Sequence, residues 1–540
     1  MRSSIDSSRL RELEPGHTAE LEGLWVASGI GDRLALPPTP LTLDFVLQDS
    51  VLLGTAFARR GVSLPKLTRR TARVSGHVYH AALPLLRAAR GIAPVDAELV
   101  ALAFAAEARA ELSRLLPARA SVSSFGLKRL TGRVQTAVSR FERLVLEQER
   151  DGSQHYRWLV EMDLGILPDD ALGTTLEECV AIERDTRALE FDLTLELLTA
   201  YGAIGLLLRR ADVDFANALA ALVVPEALEF ASTTPASALV SFALAASRQQ
   251  PLENGWIDDF IAGFGERGPD ERELTSPRWK ERRESLEHSL QLLLKLGSTQ
   301  HEQRMALAHR RRREQDERVL ASVEGTDAKL LRTLGSLAQA LARLRSRLHL
   351  VRARTLSMLR TAVLDIDRRL VRLAGCERGS AFFLELDELL SATSRPSTEL
   401  ARRSADRRRR WTARAAREAP PALLGQVSAA SDPPDGAAVG VGFGGDDVMG
   451  PVTVARRFED ALGLAPGGVL VVRSLDAGWS PLLPATSAVV TETGGLADEG
   501  VLVALTLGVP LVIGVRGAMQ RFSGGALVRV AATSGTVALV

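Results

Sequence analysis

Cysteine is nearly absent: Cys179 and Cys376 are the two thiols in 540 residues. They lie far apart without C-x-x-C or His-rich spacing, which excludes a disulfide scaffold and argues against a Cys-based zinc site. A reducing cytoplasm fits. Charge of one sign is also lacking, with 67 Lys+Arg against 66 Asp+Glu, so the chain is not a general nucleic-acid binder, whose affinity rests on surplus cations. Aromatics are 5% of the chain and do not interleave with the basic runs, so no base-stacking surface is expected. Long hydrophobic runs are missing too. The stretches Ala236 to Ala246 and Gly500 to Val515 are shorter than the roughly 20 residues that span a bilayer, and Met1 to Gly16 lacks the apolar stretch of a secretory signal. These absences predict a soluble, cytoplasmic chain with no membrane contact, and the length predicts roughly three to four domains at about 150 residues each.

What is present divides into three textures. Leu10 to Leu390 is rich in Leu, Ala, Arg and Glu, with apolar residues at three- and four-residue intervals, the pattern of packed amphipathic helices. Leu334, Leu337, Leu341, Leu344 and Leu348 form a 3-4-3-4 seam. The seam predicts one arm of an antiparallel helical hairpin, with Glu281 to Ser322 as the other arm and Gly325 and Asp327 near the turn; an intermolecular coiled coil is the alternative. Ser394 to Gly445 shifts to Arg, Ala, Pro, Gly, Ser and Asp and reads as a linker. Beyond it, short Val/Leu/Ala runs at 468–473, 487–490, 511–515, 527–530 and 536–540 read as strands. Asp498 to Leu507 reads as a helix, with Asp498 as cap and Gly508 and Pro510 as terminators. The expected fold is multidomain: mainly α over residues 1–395, in one unit or in two lobes of about 1–280 and 281–395, an Arg/Pro/Gly-rich linker over 396–445, and a small α/β domain over 446–540.

The segment T-E-T-G-G-L-A-D-E-G-V-L-V-A-L-T-L-G-V-P-L-V-I-G, Thr491 to Gly514, resembles the mobile phosphohistidine domain of phosphoenolpyruvate-utilising enzymes. Upstream, V-L-V-V-R-S-L-D-A-G-W-S-P-L-L, Val469 to Leu483, is similar to the same domain's strand and Trp-x-Pro loop. Leu36 to Thr42 with Gly76 to Tyr79, Phe264 to Trp279, and Phe382 to Leu389 resemble the helical substrate domain of the rifampin-phosphotransferase-like branch. The resemblance implies a helical substrate domain followed by a swivelling domain that carries phosphate on a histidine.

The departures from that pattern are informative. Where the family has Ser-His-Ala, this chain has Asp498, Glu499 and Gly500; where it has Gly-His-Arg-Gly, this chain has Gly265, Glu266, Arg267 and Gly268. Both family histidines are glutamates here. The helical pattern begins by about Leu24, so the family's ATP-grasp nucleotide-binding region is not expected ahead of it, and no Walker-type loop substitutes. An imidazole suits the relay because it is a nucleophile when neutral near pH 7. A carboxylate would have to form an acyl phosphate with metal and basic groups to offset charge, and Asp498 beside Glu499 works against that. Acidic residues at a helix start also have a structural use, satisfying free N–H groups and opposing the dipole. A third reading makes Glu499 a fixed imitation of the phosphorylated state that biases domain docking.

Thr491, Glu492, Thr493, Gly494 and Gly495 keep the family's loop, either for close approach to a ligand or for a tight strand-to-helix turn. Glu266, Arg267, Glu271, Arg278 and Trp279 match the substrate-domain motif; they could hold an anion or a planar ligand, or form a buried ion pair between helices. His77 and His80, at i, i+3, would share one helix face, but two histidines without a third ligand do not make a metal site. The Arg310 to Arg313 and Arg407 to Arg410 runs read as solvated helix faces, the second open to anionic partners. The resulting expectation is a degenerate, non-catalytic family member that binds a ligand, such as a small hydrophobic molecule, or regulates. The alternatives are the acceptor-binding subunit of a split phosphotransferase and a helical assembly protein that oligomerises through the leucine seam. No cofactor or metal is expected; ATP and Mg²⁺ would enter only through a separate ATP-grasp chain or an intact phosphotransferase.

Overall fold

A computed structural model describes residues 12–13, 21–27, 34, 36–66, 70–115, 122–162, 164–211, 213–226, 230–247, 255–296, 298–395, 397–425, 427, 436–445, 447–465 and 467–540. The principal helices are α1 (Pro40–Ala58), α2 (Ser124–Glu161), α3 (Asp169–Leu208), α4 (Phe215–Val223), α5 (Ser298–Ala321), α6 (Gly325–Ala374), α7 (Thr398–Ala415) and α8 (Glu499–Thr506). The fold is mostly helical with a C-terminal sheet region, as the periodicity predicts.

The helical part is organised around α6, 50 residues long and so about 75 Å at 1.5 Å per residue. Leu334, Leu341, Leu344 and Leu348 are buried on it, and the seam is satisfied within the chain. Its main partners are α3 and α2, however, while α5 touches it much less. The cause is composition: α3 is apolar on all sides over its last turns and buries Leu193 to Gly205 continuously, whereas α5 is dominated by Arg, Glu and Gln. Helices α1 and α3 are long and apolar enough to cross a membrane, yet 61% and 89% of their apolar windows are buried inside the fold.

A five-stranded sheet interrupts the helical texture, in the order β1 (Glu12–Leu13), β3 (Thr71–Val74), β4 (His77–Ala81), β2 (Leu24–Ala27), β5 (Leu423–Gly425). The expectation that His77 and His80 share a helix face is therefore wrong: they lie on a strand, where an odd spacing of three puts side chains on opposite faces. Val74 pairs with His77 across the two-residue turn Ser75-Gly76, with φ of 50° and 84°, the left-handed pair that a tight hairpin needs.

The stretch read as linker also carries structure. Ser397 Oγ accepts the Leu400 N–H at 3.3 Å to start α7, and Trp411 Nε1 donates to Pro37 O at 2.8 Å. Strand β5 then pairs with β2, so the chain returns to the N-terminal sheet before continuing. At Gly425 (φ 88°) a Cβ would lie 1.9 Å from Gly23 O, so this strand end requires glycine.

The C-terminal region contains β6 (Ala438–Val439), β7 (Val441–Phe443), β8 (Val448–Ala455), β9 (Val469–Val472), β10 (Ala488–Thr491), β11 (Leu511–Ile513), β12 (Leu527–Ala531) and β13 (Thr536–Leu539). They form one sheet ordered β6-β13-β12-β8-β9-β10-β11-β7, with β8 through β11 parallel. Continuous apolar runs such as Val469 to Val472, fully buried, suit parallel strands covered on both faces. Helix α8 makes the crossover from β10 to β11. Its buried residues belong to the same apolar cluster as α3 and α6, so the sheet region is docked against the helical part.

Candidate functional site

The carboxyl ends of parallel strands, where the chain turns into a helix start, are where such sheets place their ligands. Here that place is the loop from Thr491 at the end of β10 to Glu499 at the start of α8. Thr493 Oγ1 donates to Arg473 O at 3.0 Å, tying the loop to the end of β9. Glu492 is buried, and burial raises its carboxyl above the ordinary range with Arg473 opposing.

The loop is pressed onto the helical part backbone to backbone. Ala106 N–H donates to Gly494 O at 2.8 Å, Leu496 N–H to Leu102 O at 2.8 Å and Ala497 N–H to Ala103 O at 2.9 Å. A Cβ on Gly495 would stand 2.2 Å from Ala103 O. The glycine pair thus serves close approach as well as the turn, and what approaches is the protein's own helical part. Asp498 occupies the N-cap position but makes no side-chain cap bond to α8. Its Oδ2 instead accepts the Gly495 N–H at 2.9 Å, because the tight turn brings that amide round first; the expected helix cap is a loop brace.

Glu499 begins α8 with 1% of its surface exposed. Oε1 accepts from Ser232 Oγ at 2.7 Å, while Oε2 faces Arg345 Nη2 at 3.5 Å and His349 Nε2 at 3.8 Å. Arg345 also donates to Ala497 O. Ser232 is positioned by Ser346, whose Oγ accepts the Ser232 N–H at 3.0 Å, and Arg267 Nη1 donates to Ser232 Oγ at 3.2 Å.

Behind this cluster runs a buried ionic network. His349 Nε2 lies 3.0 Å from Glu190 Oε1, Arg187 pairs with Glu190 at 2.7 Å and with Asp49 at 3.1 Å, and Arg352 pairs with Glu183 at 3.1 Å. Arg272 completes it from the substrate-domain motif by binding Asp49. Burial pushes the Glu190 carboxyl up, but Arg187, His349 and Arg352 outweigh it and hold it well below the usual range. Asp476, from the loop after β9, accepts the Asp270 and Gly478 N–H groups at 2.7 Å each. Burial beside Asp270 and Glu271 holds its carboxyl well above the usual range, favouring its neutral form. Between Asp476, Glu271, Arg272, His349 and Arg352 lies a cavity of about 20 Å³, room for about one water.

Of the sequence-predicted residues, Arg267 and Glu271 join this site, paired at 2.7 Å. Glu266, Arg278 and Trp279 do not. Glu266 accepts from Tyr156 Oη at 2.6 Å and pairs with Lys280 at 2.7 Å. Arg278 donates to Ser276 O and Glu271 O, and burial lowers it to about 10. Trp279 packs on Phe260, ring centres 5.6 Å apart, as a core residue. Ser232, Arg345 and His349 were missed by sequence reasoning. The signal available was a pair of charged stripes at i, i+4, i+7, Glu183, Arg187 and Glu190 on α3 and Arg345, His349 and Arg352 on α6, set among many other charged residues on the same helices. Among the described residues no group of three or more His, Cys, Asp or Glu is set to hold a metal ion.

Two family profiles match the chain. Residues 464–535 match the mobile domain of PEP-utilising enzymes, and residues 216–346 match the fourth domain of rifampicin phosphotransferase. A rifampicin phosphotransferase of Streptomyces sviceus is 37% identical over 109 residues, covering 20% of this chain and 12% of that protein. Another from Streptomyces sp is 32% identical over 192 residues, covering 34% and 22%. Pyruvate kinase of Geobacillus stearothermophilus is 37% identical over 89 residues, covering 16% and 15%. The chain thus spans less than a quarter of the length of each of these relatives.

Proposed function

Because the chain belongs to the PEP-utilising, rifampicin-phosphotransferase-like group, we propose that it is a member in which the phosphoryl relay has become a fixed dock. In this reading Glu499 stands where the family's phosphorylated histidine stands. Its carboxylate fills the anion-receiving site made by Ser232, Arg345 and His349, and the protein works as a ligand-binding or regulatory protein in the cytoplasm. The observation that carries it is the burial of Glu499 against Ser232 Oγ at 2.7 Å.

The chemistry supports the dock over a relay. A relay group must be a free nucleophile that meets an acceptor; Glu499 already accepts from Ser232 and faces the Arg345 guanidinium and the His349 imidazole. Glu499 is 1% exposed, and the cavity behind His349 and Arg352, about 20 Å³, compares with roughly 300–1,000 Å³ for a small-molecule site, so in the docked state Glu499 is closed to an acceptor. No cofactor is required by this reading, and ATP with Mg²⁺ enters only in the rival one, where a separate ATP-grasp chain or an intact phosphotransferase acts on an acceptor held here.

The test is intact-mass measurement after incubation with ATP or phosphoenolpyruvate and Mg²⁺, alone and with a candidate ATP-grasp partner. The expected result is an unchanged mass. A gain of one phosphate that disappears in Glu499→Ala would overturn the dock and favour the split enzyme.

A further inference from the structure

Between the helical part and the sheet region, at the far end of α8 from Glu499, lies a cleft of about 580 Å³. Helices α4 and α5 form one wall; the turn after β7, the start of β10 and the turn from α8 to β11 form the other. We propose that this cleft binds a neutral, largely apolar organic molecule of about two or three rings, an effector that bridges the two parts and holds them together. Such a ligand deepens the ligand-binding role given above and rests on the docked arrangement, whereas the phosphorylation state of Glu499 has no bearing on it.

The volume falls within the roughly 300–1,000 Å³ of small-molecule sites, which form preferentially at interfaces between domains. Ala221 and Val224 line it from α4, and Phe443, Val448 and Val509 from the sheet region. Helix α5 is dominated by Arg, Glu and Gln, yet it sets a leucine in this wall: Leu307, 39% exposed. Covering that surface removes it from water and favours binding. Two glycines show why the space exists. At Gly508, φ 72°, a Cβ would stand 2.6 Å from Ala308 Cβ, so α5 and the turn after α8 touch there; at Gly444, φ 76°, a Cβ would meet nothing within 4 Å. The walls converge at one point and stand apart at another.

The charges in the wall are already committed within the protein. Arg304 donates to Thr486 O and Pro484 O, Arg312 donates to Pro225 O and Leu505 O, and Arg311 is engaged as well. The Asp214 carboxylate accepts from the Ala216 and Asn217 N–H groups and from Asn217 Nδ2. An ionic ligand would have to break these bonds or stay unpaired, which is costly, so a neutral one is favoured. The Gln315 amide and the Ser487 hydroxyl, both in the wall, are neutral groups able to orient it by hydrogen bonds. Because the two walls belong to different parts of the molecule, a ligand that touches both binds the docked arrangement in preference to any looser one and stabilises it accordingly.

The test uses the full chain and N-phenylnaphthylamine, a neutral aromatic whose fluorescence rises in apolar surroundings, titrated at low and high salt. The expected result is saturable binding with Kd below about 100 μM, not weakened by salt. Leu307→Gln, at a partly exposed position, should raise Kd at least fivefold with the fold intact by far-UV dichroism, and Ala221→Phe, which fills the cleft from α4, should raise it at least tenfold. Phe125→Ser, which removes an apolar side chain 77% exposed on α2, should change nothing. The sulfonate derivative of the probe, which adds one negative charge, should bind more weakly. Lack of saturable binding to the wild type, binding that neither Leu307→Gln nor Ala221→Phe weakens, or tighter binding of the sulfonate would each overturn the proposal. None of these outcomes alters the intact mass that tests Glu499, so the two readings fail separately.

Discussion

Glu499 is buried, and its stability depends on the polar groups that face it. Glu499→Gln keeps the shape and can still accept from Ser232, but leaves Arg345 without its counter-charge on α8. Removing one member of a buried pair costs roughly 3–5 kcal/mol; because Arg345 keeps its bond to Ala497 O, about 3 kcal/mol is expected, read as faster hydrogen exchange of the Leu496 and Ala497 amides that bond to Leu102 and Ala103. A second prediction at this scale concerns His80, which burial, with Arg70 nearby, lowers to about 4. The unfolded chain takes up this proton near pH 6.5 and the folded chain does not, so folding gains stability as pH rises from about 4 to 6.5 and loses it on acidification. Wild type should therefore lose about 2 to 3 kcal/mol more than His80→Gln between pH 7 and 4.5, measured by urea unfolding at both pH values. Residue identity was legible at Glu499 because a sequence motif surrounds it. Ser232, and Arg345 with His349 one turn apart on α6, were not, because the two segments meet each other and Glu499 only in three dimensions.

Elements divide between those that follow their own pattern and those decided by neighbours. Strands β9 to β13 and helix α8 were legible, since short valine runs ended by glycine or proline have few other uses in an α/β region. The β3–β4 hairpin was hidden because its residues are buried on both faces, which erases the alternation that marks a strand; only Ser75-Gly76 signalled the turn. Helix α7 was half legible: its Arg407 to Arg410 run reads as a solvated helix face, but its attachment was hidden until the pairing of its arginines with Glu385, Glu388 and Glu399 is seen. The loop 494–497 is the element on which docking depends most directly. Gly495→Ala would drive a Cβ to 2.2 Å from Ala103 O; it is expected to separate the loop from 102–106 without unfolding the sheet, seen as a larger radius of gyration by small-angle scattering at unchanged far-UV dichroism. An unchanged radius would show that the loop can yield locally.

At the scale of the molecule, the docked arrangement is held by arginines that reach across to carbonyl groups. Arg304 on α5 donates to Thr486 O and Pro484 O at 2.6 and 2.7 Å, and Arg312 to Leu505 O at 2.7 Å. Each charge-assisted bond contributes roughly 1.5–3 kcal/mol when buried. Because the acceptors of Arg304 and Arg312 are neutral, salt should affect these bonds less than it affects exposed charge pairs across the same interface, such as Arg282–Glu459. Arg304→Ala combined with Arg312→Ala should loosen the interface at both low and high ionic strength, read as new tryptic cuts near Arg473 or Arg516; protection equal to wild type would place the holding energy in the apolar contacts instead. The sequence reading anticipated two kinds of unit joined by an Arg/Pro/Gly-rich linker over 396–445, but not that α7 and β5 lie within that stretch.

The return of β5 to the N-terminal sheet has a kinetic meaning. Only about a dozen residues separate Gly425 from Ala438, and even fully extended they reach about 40 Å. A composition-based tether of some fifty residues would let the sheet region wander; this one holds it as a neighbour with a local concentration on the order of millimolar. An external anion competing for the Ser232 and Arg345 site must therefore contend with a permanently present intramolecular rival, so its apparent affinity reports the length of a short leash as much as the chemistry of the pocket.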